Sequence, residues 1–189
     1  MRKKALTIIE AGNPILRKKA RPILASQVCS KKVVLIARHL IHASKRFGGV
    51  GISAPQIGLS LQIALINIGP TKRRPHLKKF GPEIMINPII SFPSRNRKAT
   101  DWEGCLSIPG VFGLVTRPNK VRVKYIDGEG LRKDRIFSGF ESRVVQHEYD
   151  HLKGILFIDE GRLRQGSLVT EKEWMKIMKK KERPPKRML

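Results

Sequence analysis

The stretch "VVQHEYDHLKG", residues 144–154, contains two histidines four residues apart, with a glutamate directly after the first. On a helix, residues i and i+4 lie on one face, so the imidazoles of His147 and His151 can reach the same cation. Glu148 can reach a water on that cation without being a ligand itself, which is the arrangement of a metal-dependent hydrolase. The stretch therefore predicts a metal-binding helix and leaves open the identity of the third ligand.

The bulk composition describes a basic globular chain. Its 189 residues suffice for one domain with a core, and no apolar run approaches the length that crosses a bilayer. Two cysteines, Cys29 and Cys105, do not make a disulfide framework, which favours a reducing, cytoplasmic location. The net charge of +24 attracts polyanions, RNA above all, unless it is simply a solvated basic surface. Modules that read nucleic acids, including DNA, are not evident, and neither is a membrane partner.

Hydrophobic periodicity predicts a single α+β domain. Helices are expected at 26–46 with Ser26 as the N-cap, at 141–153 with Gly154 as the stop, and at 170–181. Strands are expected at 61–68, 83–90, 120–127 and 131–137, the last two forming a hairpin. Antiparallel or mixed sheets should then surround a central HExxH helix, flanked by an N-terminal and a C-terminal helix. The domain is expected over 1–181, followed by a flexible basic tail over 182–189.

Several residues are candidates for the third ligand. A metzincin-type site needs a histidine six residues after His151, but that position holds Phe157, which cannot bind a metal. A thermolysin-like site would use a later glutamate, and Glu171 and Glu173 are available. Upstream, "DWEGCLSIPG" (101–110) places Cys105 among turn-forming residues, where it is either a ligand or an ordinary small core residue.

A glycine-rich segment, "GGVGISAPQIG" (48–58), adds a third candidate element. Its glycines let another backbone approach closely, and Gln56 follows Pro55 in a rigid stretch that would hold its amide in place. The alternative is an ordinary turn between a helix and a strand, which accounts for the glycines better than for the Pro-Gln pair.

Taken together, "GVGISAPQ" (49–56), "EGCLS" (103–107) and "QHEYDH" (146–151) resemble the three signature motifs of the peptide deformylases. They occur in the family's order and at fitting separations. The stretches "GNPILRKKARPI" (12–23), "MINPII" (85–90) and "GILFID" (154–159) also resemble the family, so the likeness extends over most of the chain.

The resemblance implies that Cys105, His147 and His151 ligate one metal ion, with water in the fourth position. It implies Fe²⁺ in the cell, with Ni²⁺, Co²⁺ or Zn²⁺ as substitutes. Residue chemistry alone does not select iron, because a set of two histidines and one cysteine can hold several of these metals.

The family's reaction is removal of the N-formyl group from the initiator methionine of nascent polypeptides, with release of formate. Carried over to this chain, the resemblance implies that metal-bound hydroxide attacks the formyl carbon. Glu148 would act as general acid and base. The Gln56 amide and the Leu106 backbone N–H would stabilise the developing oxyanion.

Substrate binding is expected at two places. The extended peptide would pair with the backbone at Gly49, Val50 and Gly51, as an added strand that is largely indifferent to side chains. Phe140 and Val144 precede His147 by about two turns and one turn of helix, and with Val50 they would form the apolar slot for the methionine side chain.

The sequence departs from the common family pattern at three places. Ser53 replaces the alanine of the family's "GxGxAAPQ", a small change that should leave Gln56 undisturbed. The arginine that many bacterial members carry soon after "EGCLS" is missing, and Arg117 comes later. The basic stretch 69–82 is interpreted as a loop at the edge of the cleft.

The basic charge then acquires a candidate partner. A substrate that emerges from the ribosome favours contact with rRNA through the basic surface, and above all through the C-terminal segment 170–189. Two rival functions stay open: an HExxH zinc endopeptidase with Glu171 or Glu173 as ligand, and a non-enzymatic RNA-binding protein with a structural metal. The latter gives no role to Glu148 or Gln56.

Overall fold

The computed structural model describes residues 6–70, 77–159 and 161–182. In these ranges the chain forms three α-helices and two antiparallel sheets. The helices are α1 (Lys31–Phe47), α2 (Gly139–Leu152) and α3 (Glu171–Glu182). The strands are β1 (Gly51–Ser53), β2 (Ile63–Ile68), β3 (Phe80–Ser91), β4 (Lys98–Cys105), β5 (Ile108–Pro118), β6 (Lys120–Ile126), β7 (Arg132–Ser138) and β8 (Val169–Thr170).

The larger sheet has the strand order β1-β2-β3-β6-β7, with α1 and α2 on opposite faces. Side chains alternate between the faces of a strand, and β2 is apolar on both. Ile63 and Leu65 of β2 belong to the core under α1, whereas Ile66 and Ile68 belong to the core with α2. The stretch "IALINI", apolar at every position except Asn67, thus reflects a strand that is covered on both sides.

The smaller sheet has the order β4-β5-β8 and is built on a tight hairpin. Cys105, the last residue of β4, pairs with Ile108, so Leu106 and Ser107 form the turn, and the register shifts between Gly104 and Cys105. At the other edge, Val169 of β8 pairs with Phe112 of β5. The adjoining helix α3 is anchored there by Trp174, which is buried and stacks on the Phe112 ring at a centroid distance of 4.3 Å.

Helix α2 contacts both sheets, reaching β1, β2, β6 and β7 on one side and β5 on the other. Its apolar residues Val144 and Val145 join the core of the larger sheet. Polar residues of the same helix are also buried, among them Arg143, Glu148 and His151. Burying a polar side chain costs free energy unless the side chain is hydrogen-bonded or ion-paired. The buried polar side chains of α2, between the two sheets, therefore mark this helix as a candidate functional site.

Most of the predicted elements are confirmed within one to three residues at their ends, apart from the start of the first helix. It begins at Lys31 rather than Ser26, because Ala25–Gln27 forms a separate 3₁₀ turn and the Ser30 side chain accepts a hydrogen bond from the Val33 N–H. The α+β prediction is confirmed. Strands β1, β4, β5 and β8 were not predicted.

The remaining expectations concern the termini and loops. The expected loop 69–82 overlaps β3, which begins at Phe80, and its residues 71–76 lie outside the described residues. Helix α3 includes residue 182, and residues 183–189 of the expected tail also lie outside the described part. In the described part of the chain, no helix is both long enough and apolar enough to span a membrane.

Two glycines that follow helices permit a matched test of backbone constraint. Gly154 follows α2 with φ +76°, and a Cβ at this position would lie 2.5 Å from the Arg17 carbonyl oxygen. Gly48 caps α1 with φ +70°, but its Cβ would meet nothing within 4 Å. Gly48→Ala should therefore lower the free energy of unfolding by only about 1–2 kcal/mol, the cost of left-handed backbone.

Gly154→Ala carries the same cost together with a backbone clash, so we expect a loss of roughly 3 kcal/mol or more. Urea unfolding of the two variants measures the difference. Equal losses would mean that the close approach to Arg17 imposes no constraint.

Candidate metal centre

Three side chains with ligand atoms meet between α2 and the β4–β5 hairpin. The Sγ of Cys105 and ring nitrogens of His147 and His151 all lie within 4.8 Å of one another, the one such group among the described residues. Cys105 Sγ is 3.2 Å from Nε2 of His151. The three residues that the family resemblance nominated as ligands are therefore brought together.

Local structure explains the convergence. His147 and His151 lie one turn apart on α2, and Cys105 ends β4 at the hairpin turn. The shift in register before Cys105 is the kind of irregularity that re-aims a side chain at the end of a strand. Phe157, at the position where a metzincin would have its third histidine, stacks on the His147 ring instead, with centroids 6.1 Å apart.

Glu103, two residues before Cys105, orients the first histidine. Nδ1 of His147 lies 2.9 Å from Glu103 Oε2, and the carboxylate is buried. A proton on Nδ1 that is donated to Glu103 leaves Nε2 free to bind a metal, which is how carboxylates commonly set the tautomer of a ligating histidine.

The Glu103 carboxylate is itself held by two buried arginines. Arg117 of β5 donates to it through Nε (2.6 Å) and Nη2 (2.9 Å), and Arg143 of α2 donates through Nη1 (2.7 Å). Arg117 also donates to Asp150 of α2 at 2.8 Å, and Asp150 accepts from Arg162 at 2.9 Å. Helix and hairpin are thus joined by a paired network of buried charges.

Arg117 lies outside the cleft and supports the structure of the site. Its side chain is only 3% exposed and is committed to Glu103 and Asp150. It does not stand in for the arginine that many family members carry after "EGCLS".

The titratable groups at the centre have shifted pKa values. Burial opposes ionisation of Glu103, but hydrogen bonds from His147 and Arg117 outweigh it and hold the pKa of this carboxyl well below its usual value. Burial would lower the pKa of His147, yet hydrogen bonds with Cys105 and Glu103 raise it above the ordinary range. Burial, with repulsion from His147 and Arg117, lowers the pKa of His151, which is therefore neutral, the form that binds metals.

Glu148 lies beside the group of candidate ligands on α2, with its carboxyl group buried. Burial raises the pKa of Glu148 to about 7, although the nearby His147 and a hydrogen bond with Ser53 act in the opposite direction. Its Oε2 is buried and makes no hydrogen bond within the described residues. Gly51 of β1 permits this position, since a Cβ there would lie 2.6 Å from Glu148 Oε1.

The Gln56 amide is fixed with its nitrogen towards the thiol. Its Oε1 accepts hydrogen bonds from the Ser53 N–H (2.8 Å) and the Ser53 hydroxyl (3.0 Å). Nε2 is consequently directed at Cys105 Sγ, at 3.6 Å. Ser53, which replaces the family's alanine, therefore helps to hold Gln56.

Cys105, His147, Glu148 and Gln56 line one cleft of about 830 Å³. Within it, Gly49 lies against the Leu106 side chain, with its Cβ position only 2.8 Å from Leu106 Cδ1. All the other candidate substrate and oxyanion residues also line it, namely Val50, Gly51, Gln56, Phe140 and Val144. β1 is the edge strand of its sheet, which leaves a strand edge available at this wall.

The glutamates proposed for a thermolysin-like site are placed differently. Glu173 is exposed and pairs with Lys176 at 2.9 Å. Glu171 lines the cleft, but neither residue belongs to the group of converging ligand atoms. The endopeptidase alternative is therefore not favoured.

Sequence reasoning missed the residues that support the centre, Glu103, Arg143 and Asp150. Two signals were present: Glu103 precedes Cys105 by two positions on a strand, and Arg143 precedes His147 by four on a helix, so each pair shares a face. The partners of these residues come from distant segments and could not be read from local spacing.

The donor set fits a metal ion. One thiol and two imidazoles, with an outer carboxylate on one imidazole, leave a fourth position open to the cleft, which is the arrangement of a catalytic rather than a closed structural site. A helix with HExxH beside such a set defines the class of metal-dependent hydrolases.

Comparisons with known proteins specify this class further. The sequence profile of the polypeptide deformylase family matches residues 5–166. Peptide deformylase 2 of Nostoc sp. is 36% identical over 180 residues, covering 95% of this chain and 98% of that protein. Peptide deformylase 1 of Nitrosomonas europaea is 37% identical over 150 residues, covering 79% and 84%.

Solved structures agree. A class I type b peptide deformylase from Acinetobacter baumannii with Met-Ala-Ser bound has a TM-score of 0.78 and 35% identity, covering 82% of this chain and 97% of that one. A peptide deformylase from Synechococcus elongatus in complex with actinonin has a TM-score of 0.72 and 30% identity, covering 88% and 82%. The chain belongs to the peptide deformylase family, and the prediction of an enzyme of this type is confirmed.

The buried charge network predicts a strong effect of one arginine on stability. Arg117→Ala would leave the carboxylates of Glu103 and Asp150 buried with fewer cations, and removal of one partner from a buried pair costs about 3–5 kcal/mol. Urea unfolding measures this loss. Arg122→Ala, which breaks the exposed pair with Asp134, is the matched control and should leave the unfolding midpoint nearly unchanged. A comparable loss of unfolding free energy in both variants would show that the buried network stabilises the fold no more than an exposed ion pair does.

Proposed function

We propose that this chain hydrolyses the N-formyl group of the initiator methionine of nascent polypeptides and releases formate. The observation that carries the proposal is the convergence of the ligand atoms of Cys105, His147 and His151 at a cleft that Cys105, His147 and Glu148 line. The catalytic unit is residues 1–181 as a single domain. The Acinetobacter relative with Met-Ala-Ser bound, a peptide that begins with methionine, supports a methionyl substrate.

In this proposal Cys105, His147 and His151 hold one Fe²⁺ per chain, which Ni²⁺, Co²⁺ or Zn²⁺ can replace. The donor set suits all of these metals, and iron is inferred from the family. When bound, the ion would lower the pKa of a water molecule and polarise the formyl carbonyl.

Glu148 is the proton carrier of the reaction. Its Oε2 has no hydrogen-bond partner among the described residues, and its pKa of about 7 suits both uptake and release of a proton near neutral pH. The carboxylate takes the proton from the attacking water and then passes it to the nitrogen of the departing amine. The products are formate and a free N-terminal methionine.

Gln56 and the Leu106 backbone are the donors for the oxyanion. Because the Gln56 oxygen is engaged by Ser53, its NH₂ group is directed into the cleft before substrate arrives. Leu106 lies in the hairpin turn directly after Cys105, so its N–H is fixed relative to the thiol. A preorganised donor of this kind is worth roughly 3–4 kcal/mol of transition-state stabilisation.

Substrate recognition uses the free edge of β1 and the preceding glycines. An extended peptide pairs with the backbone at Gly49, Val50 and Gly51, which gives affinity without strong dependence on side chains. The methionine side chain enters an apolar slot between Val50, Phe140 and Val144, of which Val144 is buried and the other two are partly buried.

The location and partners follow from the same reaction. A thiol ligand, together with the second free cysteine, Cys29, suits a cytoplasmic, reducing compartment. Nascent chains emerge beside rRNA, so the net charge of +24 supports contact with the ribosome through the basic surface and the C-terminal segment 170–189.

The reaction and the third ligand can be tested together. Protein purified without oxygen and loaded with Fe²⁺ is expected to release formate from a formyl-Met tripeptide, with the unformylated tripeptide as substrate control. Cys105→Ala should bind less metal and lose more than about 100-fold in kcat/KM, because loss of outer partners of ligands alone costs 10–100-fold. Cys29→Ala, at the other and exposed cysteine, should retain both. Absence of formate from fully metallated wild-type protein would contradict the proposed reaction.

The role of Glu148 has a separate prediction. Glu148→Gln should keep the wild-type metal content, because the residue is not a ligand, while kcat falls by about 10²–10⁴-fold through loss of proton transfer. Metal analysis and formate release on the same preparation measure the two quantities. A variant with full metal and most of the wild-type kcat would show that another group carries the proton.

A further inference from the structure

Helix α1 presents an exposed face of one charge sign. Its 17 residues include no Asp or Glu, and five basic residues are exposed on it: Lys31, Lys32, Arg38, Lys45 and Arg46. None of the five forms an ion pair in the described part of the chain. We call this surface the basic face of α1.

Two other basic surfaces, on the β6–β7 hairpin and on α3, are partly neutralised by acids of their own. On the β6–β7 hairpin, three basic side chains engage carboxylates, in the pairs Arg122–Asp134, Lys133–Asp127 and Arg135–Glu83. On α3, Lys176 pairs with Glu173, and Glu171 adds further negative charge. Of these three surfaces, the basic face of α1 is the one whose cations are not compensated by acids of its own.

The basic residues in the first turn of α1 do not stabilise the helix itself. Lys31 and Lys32 lie in the first turn, where the helix macrodipole favours acids and disfavours cations. Only Lys45 and Arg46, in the last turn, complement the dipole. Two lysines without an ion pair in the first turn therefore indicate a binding partner outside the helix.

The basic side chains also form a row. Lys31, Arg38 and Lys45 are seven residues apart, or nearly two turns, so they lie along one line on the helix. At a rise of 1.5 Å per residue they are spaced by about 10 Å and span about 21 Å. His42 lies on the same line, and Arg46 lies beside it.

We propose that the basic face of α1 is a docking site for the phosphate backbone of structured RNA. A row of unpaired cations over about 21 Å matches a polymer with regularly repeated phosphates, and such contacts need no base-specific side chains. An anionic membrane fits less well. An interfacial helix inserts its apolar face, whereas the apolar face of α1 (Val33, Ile36, Leu40 and Ala43) is buried in the protein core.

The location gives this site a function. Helix α1 ends at Phe47, and Phe47, Gly48 and Gly49 line the catalytic cleft. RNA held along α1 would lie next to the mouth of that cleft. The inference refines the expected contact with rRNA in the proposed function and places it on α1 rather than on the C-terminal segment. It is tested by binding alone, so its failure would leave the hydrolytic reaction untouched.

The test is binding of a fluorescent 20-base-pair RNA duplex over a series of salt concentrations. Wild-type protein should bind with an affinity that falls steeply as salt rises. Arg38→Glu/Lys45→Glu should weaken binding at least about tenfold at 0.1 M salt and reduce the slope of log K against log salt by about 2. Arg38→Gln/Lys45→Gln should show a smaller loss. Both positions are exposed and outside the cleft, so formate release by either variant should match wild type.

The matched control is Lys179→Glu/Lys180→Glu, which makes the same change in net charge at two exposed positions of α3. It should retain most of the wild-type affinity. Equal losses in the two charge-reversed variants would overturn the proposal, because the effect would then follow from net charge alone. A larger loss in the α3 variant would also overturn it, in favour of the C-terminal segment. Vesicles containing phosphatidylglycerol that displace the RNA and bind with equal dependence on Arg38 and Lys45 would assign the surface to membranes instead.

Discussion

The structure of the candidate site depends on one buried carboxylate, that of Glu103. It accepts hydrogen bonds from Arg117 of the hairpin and from Arg143 and His147 of α2. A carboxylate taken out of water is tolerated only when it is paired and hydrogen-bonded, and here three donors meet that need. The donors come from the β4–β5 hairpin and from α2. Their hydrogen bonds to Glu103 therefore also fix how this hairpin packs against the helix.

This constraint extends to the ligands. Cys105 follows Glu103 by two residues, so once the carboxylate is bound to α2 the thiol is brought beside His151. The same carboxylate engages Nδ1 of His147, leaving the other ring nitrogen for a metal. One interaction therefore sets the position of one candidate ligand and the tautomer of another. The HExxH motif on α2 forms a metal centre with Cys105 only because the long-range pairing of Glu103 with α2 brings the two segments together.

The sequence predicted what depends on local pattern and missed what depends on distant partners. The apolar runs at β2 and β3 and the helical spacing in α2 are local signals, and each element lies near its expected place. Strands β4 and β5 were not recognised, because "KATDWEGC" and "IPGVFGLVTRP" interrupt their alternation with charges, glycines and prolines. The charged residues that broke the pattern, Glu103 and Arg117, are those that pair with each other inside the fold. At the start of α1, Ser26 was predicted as the N-cap, but Ala25–Gln27 forms a separate 3₁₀ turn and the helix is capped by Ser30 instead.

Basic residues have two distinct roles in this chain, and the amino-acid composition alone does not distinguish them. Arg117 and Arg143 are buried and neutralised, so they contribute to the net charge of +24 without attracting a partner. The lysines and arginines of α1 are exposed and form no ion pair in the described structure, so they contribute to the outward field. A basic chain binds polyanions where its cations lack internal partners, rather than where they are most numerous in sequence. That distinction moves the expected RNA contact from the lysine-rich C-terminal helix, where glutamates intervene, to a helix that contains no acid.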